Sequence, residues 1–173
     1  RPGSTVLLIA SFFRGEGKTV VAAHLARAAC SLGIRCLIIN GNMPAPGGYD
    51  AFRADMGPGL ADLLRGRCTL MDVVRHDEET GADYLSAGRY NEEDIELSGT
   101  GIRELLSELR SDYSLILLDS PPLQESAEPL LWSRCVDAVL FAVARPTTTR
   151  GAVLAAAREC TYGDGAQLLV FLT

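Results

Sequence analysis

Short apolar runs alternate along the chain with segments in which apolar residues recur at helical spacing. The apolar runs predict six strands, over residues 5–11, 35–40, 82–88, 114–119, 138–144 and 167–172. Helical spacing predicts helices over 18–32, 101–110, about 126–134 and 149–160, and two short ones over 59–66 and 69–76. Short strands that are apolar throughout and separated by helices are typical of a parallel sheet covered on both faces. The pattern therefore predicts a three-layer α/β fold with a mainly parallel central sheet.

Composition narrows the class of protein. The 173 residues suffice for one domain with a substantial core, and 47% of them are hydrophobic. The net charge of −6 argues against a general nucleic-acid binder. Five scattered cysteines with no C-x-x-C pair are typical of reduced cytosolic thiols rather than of disulfides or a metal site. No apolar run approaches the roughly 18 residues that span a membrane.

The two ends of the sequence lie close to predicted strands. The chain begins with "RPGS", one step before the first strand, and stops inside the last one. We therefore expect residues 1–173 to be a single domain taken from a longer, membrane-associated protein, whose membrane segments would lie outside this part.

The segment "SFFRGEGKT", residues 11–19, joins the first strand to the first helix. Its glycines permit a tight wrap, and backbone N–H groups at the helix N-terminus can surround a phosphate. Lys18 is placed to reach the outer phosphates and Thr19 to bind magnesium. The strict P-loop pattern is not met, because Phe12 stands at the first glycine position, and a turn that binds nothing is the alternative. The predicted nucleotide-binding residues here are Arg14, Gly15, Glu16, Gly17, Lys18, Thr19 and Val20.

The segment "LILLDSPP", residues 115–122, places Asp119 after four apolar residues. An acid at the carboxyl end of an adjacent strand is the usual second magnesium contact, direct or through water. Asp119 alone is equally compatible with a helix N-cap, but the G-K-T turn favours the metal role. The predicted cofactors are ATP or ADP with Mg²⁺. Thr19 and Asp119 would hold the metal, and Lys18 and Asp119 are the predicted catalytic residues.

These motifs, in this order, resemble the bacterial tyrosine kinases. That P-loop family is related to MinD and ParA, and its ATPase-like cytoplasmic domain serves capsule and exopolysaccharide co-polymerases. Residues 11–19 resemble the family's phosphate loop, and "DSPP" at 119–122 resembles its second motif. "LIINGNMPAP" at 37–46 aligns with the middle motif, which runs apolar–Asp-Gly-Asp-Met-Arg-Lys-Pro. The resemblance covers nearly the whole chain and extends to Gly59–Leu60, 86–88 and 136–145. It implies the P-loop NTPase fold.

The middle motif departs from the family pattern. Asn40 and Asn42 replace both acids, Pro44 replaces the Arg and Ala45 the Lys. The resemblance implies that the first acid takes the proton from the attacking tyrosine or organises magnesium. Asn cannot act as a general base, which typically contributes about 10²–10⁴-fold to the rate, and it brings no negative charge to a cation. We therefore expect a phosphate cradle without its catalytic charge. The alternative is that Asp119 and solvent suffice.

Weaker candidates lie elsewhere in the sequence. Glu128 stands where the family has an Asp that helps to position metal, and Arg145 where a family Arg lies near the nucleotide base. A solvated helix acid and an ordinary surface arginine are the respective alternatives. His24 and His76 lack partners at ligand spacing and are expected to be packing or surface residues. Trp132 is expected to be partly buried.

Taken together, the motifs and the resemblance imply a nucleotide-binding cytoplasmic domain at the inner face of the plasma membrane. It would resemble a tyrosine autokinase that regulates exopolysaccharide polymerisation and export, with phosphoryl transfer impaired as in a pseudokinase. Expected partners are the nucleotide, a transmembrane co-polymerase region in the same chain or a separate membrane protein, and further copies of the chain, but not nucleic acid. The alternatives are an active autokinase, a scaffold that binds no nucleotide, and a MinD/ParA-like positioning ATPase. Phe13 argues against the last, since those proteins carry a second lysine there.

Overall fold

The apolar runs assemble into one sheet in the computed structural model, which describes residues 3–42, 57–88, 99–144, 148–160 and 167–172. Within these residues the strands are β1 (Thr5–Ser11), β2 (Cys36–Asn40), β3 (Val74–His76), β4 (Asp83–Leu85), β5 (Leu115–Asp119), β6 (Ala138–Val143) and β7 (Gln167–Leu172). Their order across the sheet is β3-β4-β2-β5-β1-β6-β7. All neighbouring strands are parallel except β3 and β4. The predicted mainly parallel sheet is confirmed.

Helices cover both faces of this sheet, which completes the predicted three layers. They are α1 (Lys18–Ser31), α2 (Leu60–Leu64), α3 (Leu70–Val73), α4 (Gly99–Leu109), α5 (Glu128–Trp132) and α6 (Arg150–Cys160), with a 3₁₀ turn at Ser133–Cys135. Because side chains alternate across a strand, β1, β2 and β5 each contribute buried side chains to both faces of the sheet. The α1 helix packs over Ile9, Ile38 and Leu117, and the other helices pack on the opposite face.

The segment 69–76 corrects one prediction. It was expected to be a single short helix, but α3 ends at Val73 and Val74–His76 form an antiparallel edge strand on β4. The adjacent β-branched Val73 and Val74 weaken a helix, and the exposed edge of β4 offers backbone partners. The His76 ring adds a contact across the strand pair, with Nδ1 2.9 Å from Asp83 Oδ1.

Two glycines that carry the family resemblance contact one another. The backbone N–H of Leu60 donates to Ser86 O at 2.8 Å, which brings the start of α2 onto the end of β4. A Cβ at Gly59 would lie 2.3 Å from the backbone N of Gly88, and Gly88 has a φ of +79°. Side chains at either position would therefore prevent this contact.

Several smaller predictions can be checked as well. Gly33, which follows α1, has a φ of +75°, the left-handed conformation that commonly ends a helix. Trp132 is fully buried rather than partly buried. All five cysteines are free thiols. No helix within the described ranges is long and apolar enough to cross a bilayer.

Candidate functional site

A cleft of about 300 Å³ lies where β1, β2 and β5 end. The parallel register places Asp119 beside Asn40 on one side and beside Ile9 on the other. Since the carboxyl ends of these strands meet at one edge, the loops that follow them converge there. The cleft is lined by Arg14, Gly15, Gly17, Lys18, Thr19, Val20, Asn40, Asn42, Asp119 and Pro122.

The loop between β1 and α1 has the conformation that a phosphate cradle needs. Gly15 and Gly17 both have a φ of +82°, in the left-handed region that favours glycine. The N–H of Val21 donates to Gly17 O at 2.9 Å and is the first amide bonded in the manner of the helix. The amides of Lys18, Thr19 and Val20 therefore stand at the N-terminus without intrahelical acceptors, where the helix dipole attracts anions.

Lys18 is buried beneath this loop and is the only lysine among the 173 residues. Its ammonium donates to Ser11 Oγ at 2.7 Å, and Ser11 Oγ in turn donates to Phe13 O at 2.8 Å. Burial lowers the pKa of Lys18, while the charges of Asp119 and Glu16 act in the opposite direction. The ammonium is thus held close to the cleft by a neutral partner.

Asp119 is buried at the end of β5, and its carboxylate accepts a hydrogen bond from the Thr19 side chain. Burial raises the pKa of Asp119 to about 6, against the effects of the Thr19 hydrogen bond and the Lys18 charge. Its Oδ1 has no hydrogen-bond donor among the described residues. The N-cap alternative is not what the structure shows, because α5 begins only at Glu128. Thr19 and Asp119, the two predicted metal ligands, therefore lie together.

Glu16 lies in the loop, but its carboxylate is occupied within the protein. It accepts hydrogen bonds from Phe13 N at 2.7 Å, from Ala144 N at 3.1 Å and from Thr148 Oγ1. These bonds fasten the phosphate loop to the segment that follows β6. Glu16 was predicted to bind nucleotide, and this arrangement leaves its backbone, not its carboxylate, as the candidate contact.

Arg14 extends along the rim of the cleft. Its side chain is exposed, and Nε lies 3.4 Å from Glu125 Oε1. The loop that carries Glu125 is attached to the phosphate loop by backbone bonds from Leu123 N to Ser11 O and from Gln124 N to Phe12 O. The two motifs identified in the sequence therefore support each other directly.

The two asparagines of the middle motif make different contacts. Asn40 Nδ2 donates to the Tyr84 hydroxyl at 3.1 Å, and Asn40 Oδ1 accepts from Asn42 N at 3.0 Å. Asn42 Oδ1 is buried and receives no hydrogen bond from any residue that the structure describes. Between them, Gly41 N donates to Asp119 O at 2.7 Å, and a Cβ at Gly41 would lie 2.4 Å from the Trp132 ring.

Sequence reasoning missed Tyr84 as part of this site. Tyr84 lies on β4 in register with Ile38, two residues before Asn40 on β2, so its ring shares a face of the sheet with Asn40. Burial raises the pKa of Tyr84 to about 12, which keeps its hydroxyl protonated. The sequence offered only a tyrosine inside a predicted strand, which does not by itself indicate a contact with Asn40.

The remaining candidates lie outside the cleft or outside the described residues. Burial raises the pKa of Glu128, which does not line the cleft. Arg145, Pro44 and Ala45 fall outside the described ranges. Across the described part of the chain, no group of three or more His, Cys, Asp or Glu side chains is placed to hold a metal ion.

The parallel sheet, the glycine-flanked helix N-terminus with Lys18 and Thr19, and Asp119 on the adjacent strand define a P-loop NTPase fold. The homologues of this chain are bacterial tyrosine-protein kinases. EpsB of Ralstonia solanacearum, named as a candidate tyrosine-protein kinase, is 27% identical over 163 residues, 94% of this chain and 22% of EpsB. The tyrosine-protein kinase YwqD of Bacillus subtilis is 26% identical over 83% of this chain and 61% of its own length. No protein-family model matches the chain.

Solved structures show the same fold. The VpsO kinase domain superposes with a TM-score of 0.88 at 29% identity, covering 98% of this chain and 84% of that one. The kinase domain of Escherichia coli Etk gives 0.90 at 22% identity, over 98% of this chain and 67% of its own. The septum site-determining protein MinD from Pyrococcus horikoshii, complexed with Mg-ADP, gives 0.71 at 21% identity, over 98% and 70%. The chain spans about a fifth of the length of EpsB, so it corresponds to one part of such a protein.

Proposed function

We propose that this chain is an ADP- and ATP-binding regulatory domain, related to the bacterial tyrosine kinases but impaired in phosphoryl transfer. One observation carries the proposal. The cradle of loop amides, Lys18, Thr19 and Asp119 is complete, whereas both middle-motif positions beside it hold neutral amides.

The cleft has the groups that a nucleotide's phosphates require. The amides at the start of α1 and the Lys18 ammonium would contact the phosphate oxygens, with Lys18 exchanging its Ser11 partner for a charged one. Val20, which is half-exposed and lines the cleft, offers an apolar contact. Arg14 and Arg145 are the proposed contacts farther from the helix N-terminus.

The same cleft fits a magnesium ion. Asp119 Oδ1 is a buried acceptor without a described donor, and oxygen atoms are the ligands that Mg²⁺ prefers. Thr19 and Asp119 would hold the cation, which would supply neutralisation of phosphate charge. With one carboxylate among the described lining residues, the cation is expected to add less to nucleotide binding than Lys18 does.

Impaired phosphoryl transfer follows from the chemistry of position 40. An amide there cannot accept the proton of an attacking hydroxyl. Asp119 is the remaining carboxylate among the described lining residues, and it is also the group that would face the cation. An active autokinase that uses Asp119 as its base is the competing hypothesis.

The biological role that we propose follows from the resemblance. The domain would act in the cytoplasm at the inner face of the plasma membrane, regulating exopolysaccharide polymerisation and export. Its partner would be a transmembrane co-polymerase region in the same chain or in a separate protein, with self-association as a further option. A MinD/ParA-like positioning role is disfavoured by Phe13.

Calorimetric titration with ADP and ATP, with and without Mg²⁺, tests nucleotide binding. We expect binding in EDTA that is weakened at least about tenfold by Lys18→Ala, a loss of about 1.4 kcal/mol. Arg27→Ala is the matched control, because Arg27 is a cation on the same helix whose partner is the exposed Glu79. Binding abolished by EDTA but unchanged in Lys18→Ala would contradict the proposal.

The single lysine gives an independent assay. An amine-reactive label can modify only Lys18 and the chain's N-terminal amine, so mass spectrometry after proteolysis reports the state of Lys18 alone. ADP should protect Lys18 and leave the N-terminal amine unprotected.

Incubation with ATP and Mg²⁺ should produce no phosphotyrosine, and phosphotyrosine that disappears in Lys18→Ala would instead establish the active autokinase.

A further inference from the structure

We infer that the two asparagines of the middle motif have different roles, with Tyr84 as the residue that separates them. Asn42 presents its oxygen to the cation or water shell of the bound nucleotide. Asn40, which also lines the cleft, is a positioning residue whose side-chain polar atoms are engaged by Tyr84 and by the backbone of Asn42. The inference rests on the proposed function, which it deepens by assigning the contact to one position.

Asn40 has its polar groups engaged within the protein. Its Oδ1 must face Asn42 N, because a backbone N–H can only donate, and this fixes Nδ2 toward the Tyr84 hydroxyl. Tyr84 is 8% exposed, and a buried tyrosine hydroxyl generally needs a polar partner. Rotation of Asn40 toward a cation would break both hydrogen bonds.

Asn42 is in the opposite situation. Its backbone is fixed by Asn40, while its side chain lines the cleft with a buried oxygen to which no described residue donates a hydrogen bond. Asp119 Oδ1 is a second buried acceptor in the same cleft without a described donor. Two acceptors without described donors, in the cleft that Thr19 also lines, suit a cation, or the water molecules around it, better than they suit another acceptor.

The chain of contacts therefore runs from Tyr84 through Asn40 to Asn42. Tyr84 orients Asn40, Asn40 holds the backbone of Asn42, and Asn42 faces the ligand. A carboxylate at position 40 would accept hydrogen bonds from Asn42 N and from the Tyr84 hydroxyl, which can rotate to donate. A carboxylate at position 42 would add its charge to the cleft that Asp119 also lines.

Manganese binding, measured by electron paramagnetic resonance on the chain without nucleotide, tests this difference. Asn42→Asp should tighten Mn²⁺ binding at least about tenfold, and Asn40→Asp by less than about threefold. Both changes are nearly isosteric, and melting curves of each variant report whether the fold is retained. Equal gains, a larger gain from Asn40→Asp, or no gain from either would overturn the inference.

Mn²⁺ binding by Tyr84→Phe variants distinguishes control of position 40 by Tyr84 from a purely structural role of its ring. In the Tyr84→Phe/Asn40→Asp double variant, the carboxylate loses its tyrosine donor, and Mn²⁺ binding should rise toward that of Asn42→Asp. Tyr84→Phe alone should not tighten Mn²⁺ binding. If the double variant binds Mn²⁺ no better than Asn40→Asp, Tyr84 does not hold position 40.

The same variants separate this inference from the proposed function. ADP titration of the unmodified chain tests the proposed function by itself. If ADP does not bind under any condition, the proposed function fails, yet the ranking of the Asp variants in Mn²⁺ binding still decides the roles of positions 40 and 42.

Discussion

Removal of the Glu16 carboxylate should loosen the phosphate loop and destabilise the whole domain. Glu16 is 2% exposed, and its side chain joins Phe13 N of the loop to Ala144 N and Thr148 Oγ1 beyond β6. Ala144 and Thr148 lie 128 and 132 residues from Glu16, so this side chain links the phosphate loop to a remote segment of the chain. Glu16→Ala leaves three donors without this acceptor and also leaves a void.

The expected size of the effect follows from those three donors. Hydrogen bonds to charged groups contribute about 1.5–3 kcal/mol each, and contributions within one cluster do not add fully. We therefore expect Glu16→Ala to lower the free energy of unfolding by about 3–5 kcal/mol. Glu16→Gln should lower the free energy of unfolding by less, because the amide keeps one acceptor oxygen. It should still lower it, because the amide nitrogen cannot accept from the donors that the second oxygen serves.

Urea denaturation of the two variants measures this directly, and Glu79→Ala is the matched control. Glu79 is an exposed glutamate whose ion pair with Arg27 should contribute no more than about 1 kcal/mol. A loss below about 1 kcal/mol in Glu16→Ala would show that the three contacts do not bear on stability. Weaker ADP binding by Glu16→Gln that is still folded would show that Glu16 also holds the phosphate loop in its binding conformation.

Three further outcomes are expected. Gly41→Ala should lower the free energy of unfolding by about 1–3 kcal/mol, since the added Cβ meets the buried Trp132 ring, while Gly3→Ala, with open space, should not; equal melting temperatures would contradict this. Burial raises the pKa of Cys36 to about 12 and of Cys160 to about 11, so both thiols ionise more readily in the unfolded chain. The free energy of unfolding should therefore fall by up to about 1.4 kcal/mol per pH unit per thiol between pH 9 and the folded-state pKa of each thiol. A Cys36→Ala/Cys160→Ala variant whose decline is as steep as that of the unmodified chain would refute this. Asp119→Asn should abolish the Mg²⁺-dependent part of ADP binding measured by calorimetry and retain the part measured in EDTA; equal losses in both conditions would refute the assignment.

The strands and helices with a regular apolar pattern were predictable, because their apolar positions are the ones that the fold buries. The bounds of β1 and β7 match the apolar runs 5–11 and 167–172, and α1 begins at Lys18 as predicted. The segment 69–76 failed because pairing with β4, a tertiary contact, decides between helix and strand at Val74. Local spacing carries no information about such an edge.

The candidate site divides in the same way. The G-K-T turn and Asp119 were predictable, since each motif is contiguous and the parallel fold brings strand ends together. The roles of Glu16 and Tyr84 were not, because their partners are remote: Ala144 lies 128 residues from Glu16, and Tyr84 lies 44 residues from Asn40. Both side chains are buried and polar, which a sequence pattern does not reveal.

The contacts of the middle motif bear on why its acids are absent. Asn40 closes the turn to Asn42 with the same kind of acceptor oxygen that a carboxylate would offer, and Gly41 stays bonded to Asp119 O. The described part of the loop therefore keeps a geometry in which aspartates would fit, and lost shape does not explain the lost charge. With aspartate at both positions, three carboxylates would line the cleft together with Lys18 and Arg14, and a cation would be needed to offset their repulsion of a polyphosphate. With asparagine, Asp119 is the one carboxylate among the described residues that line the cleft, as the proposed nucleotide-holding role requires.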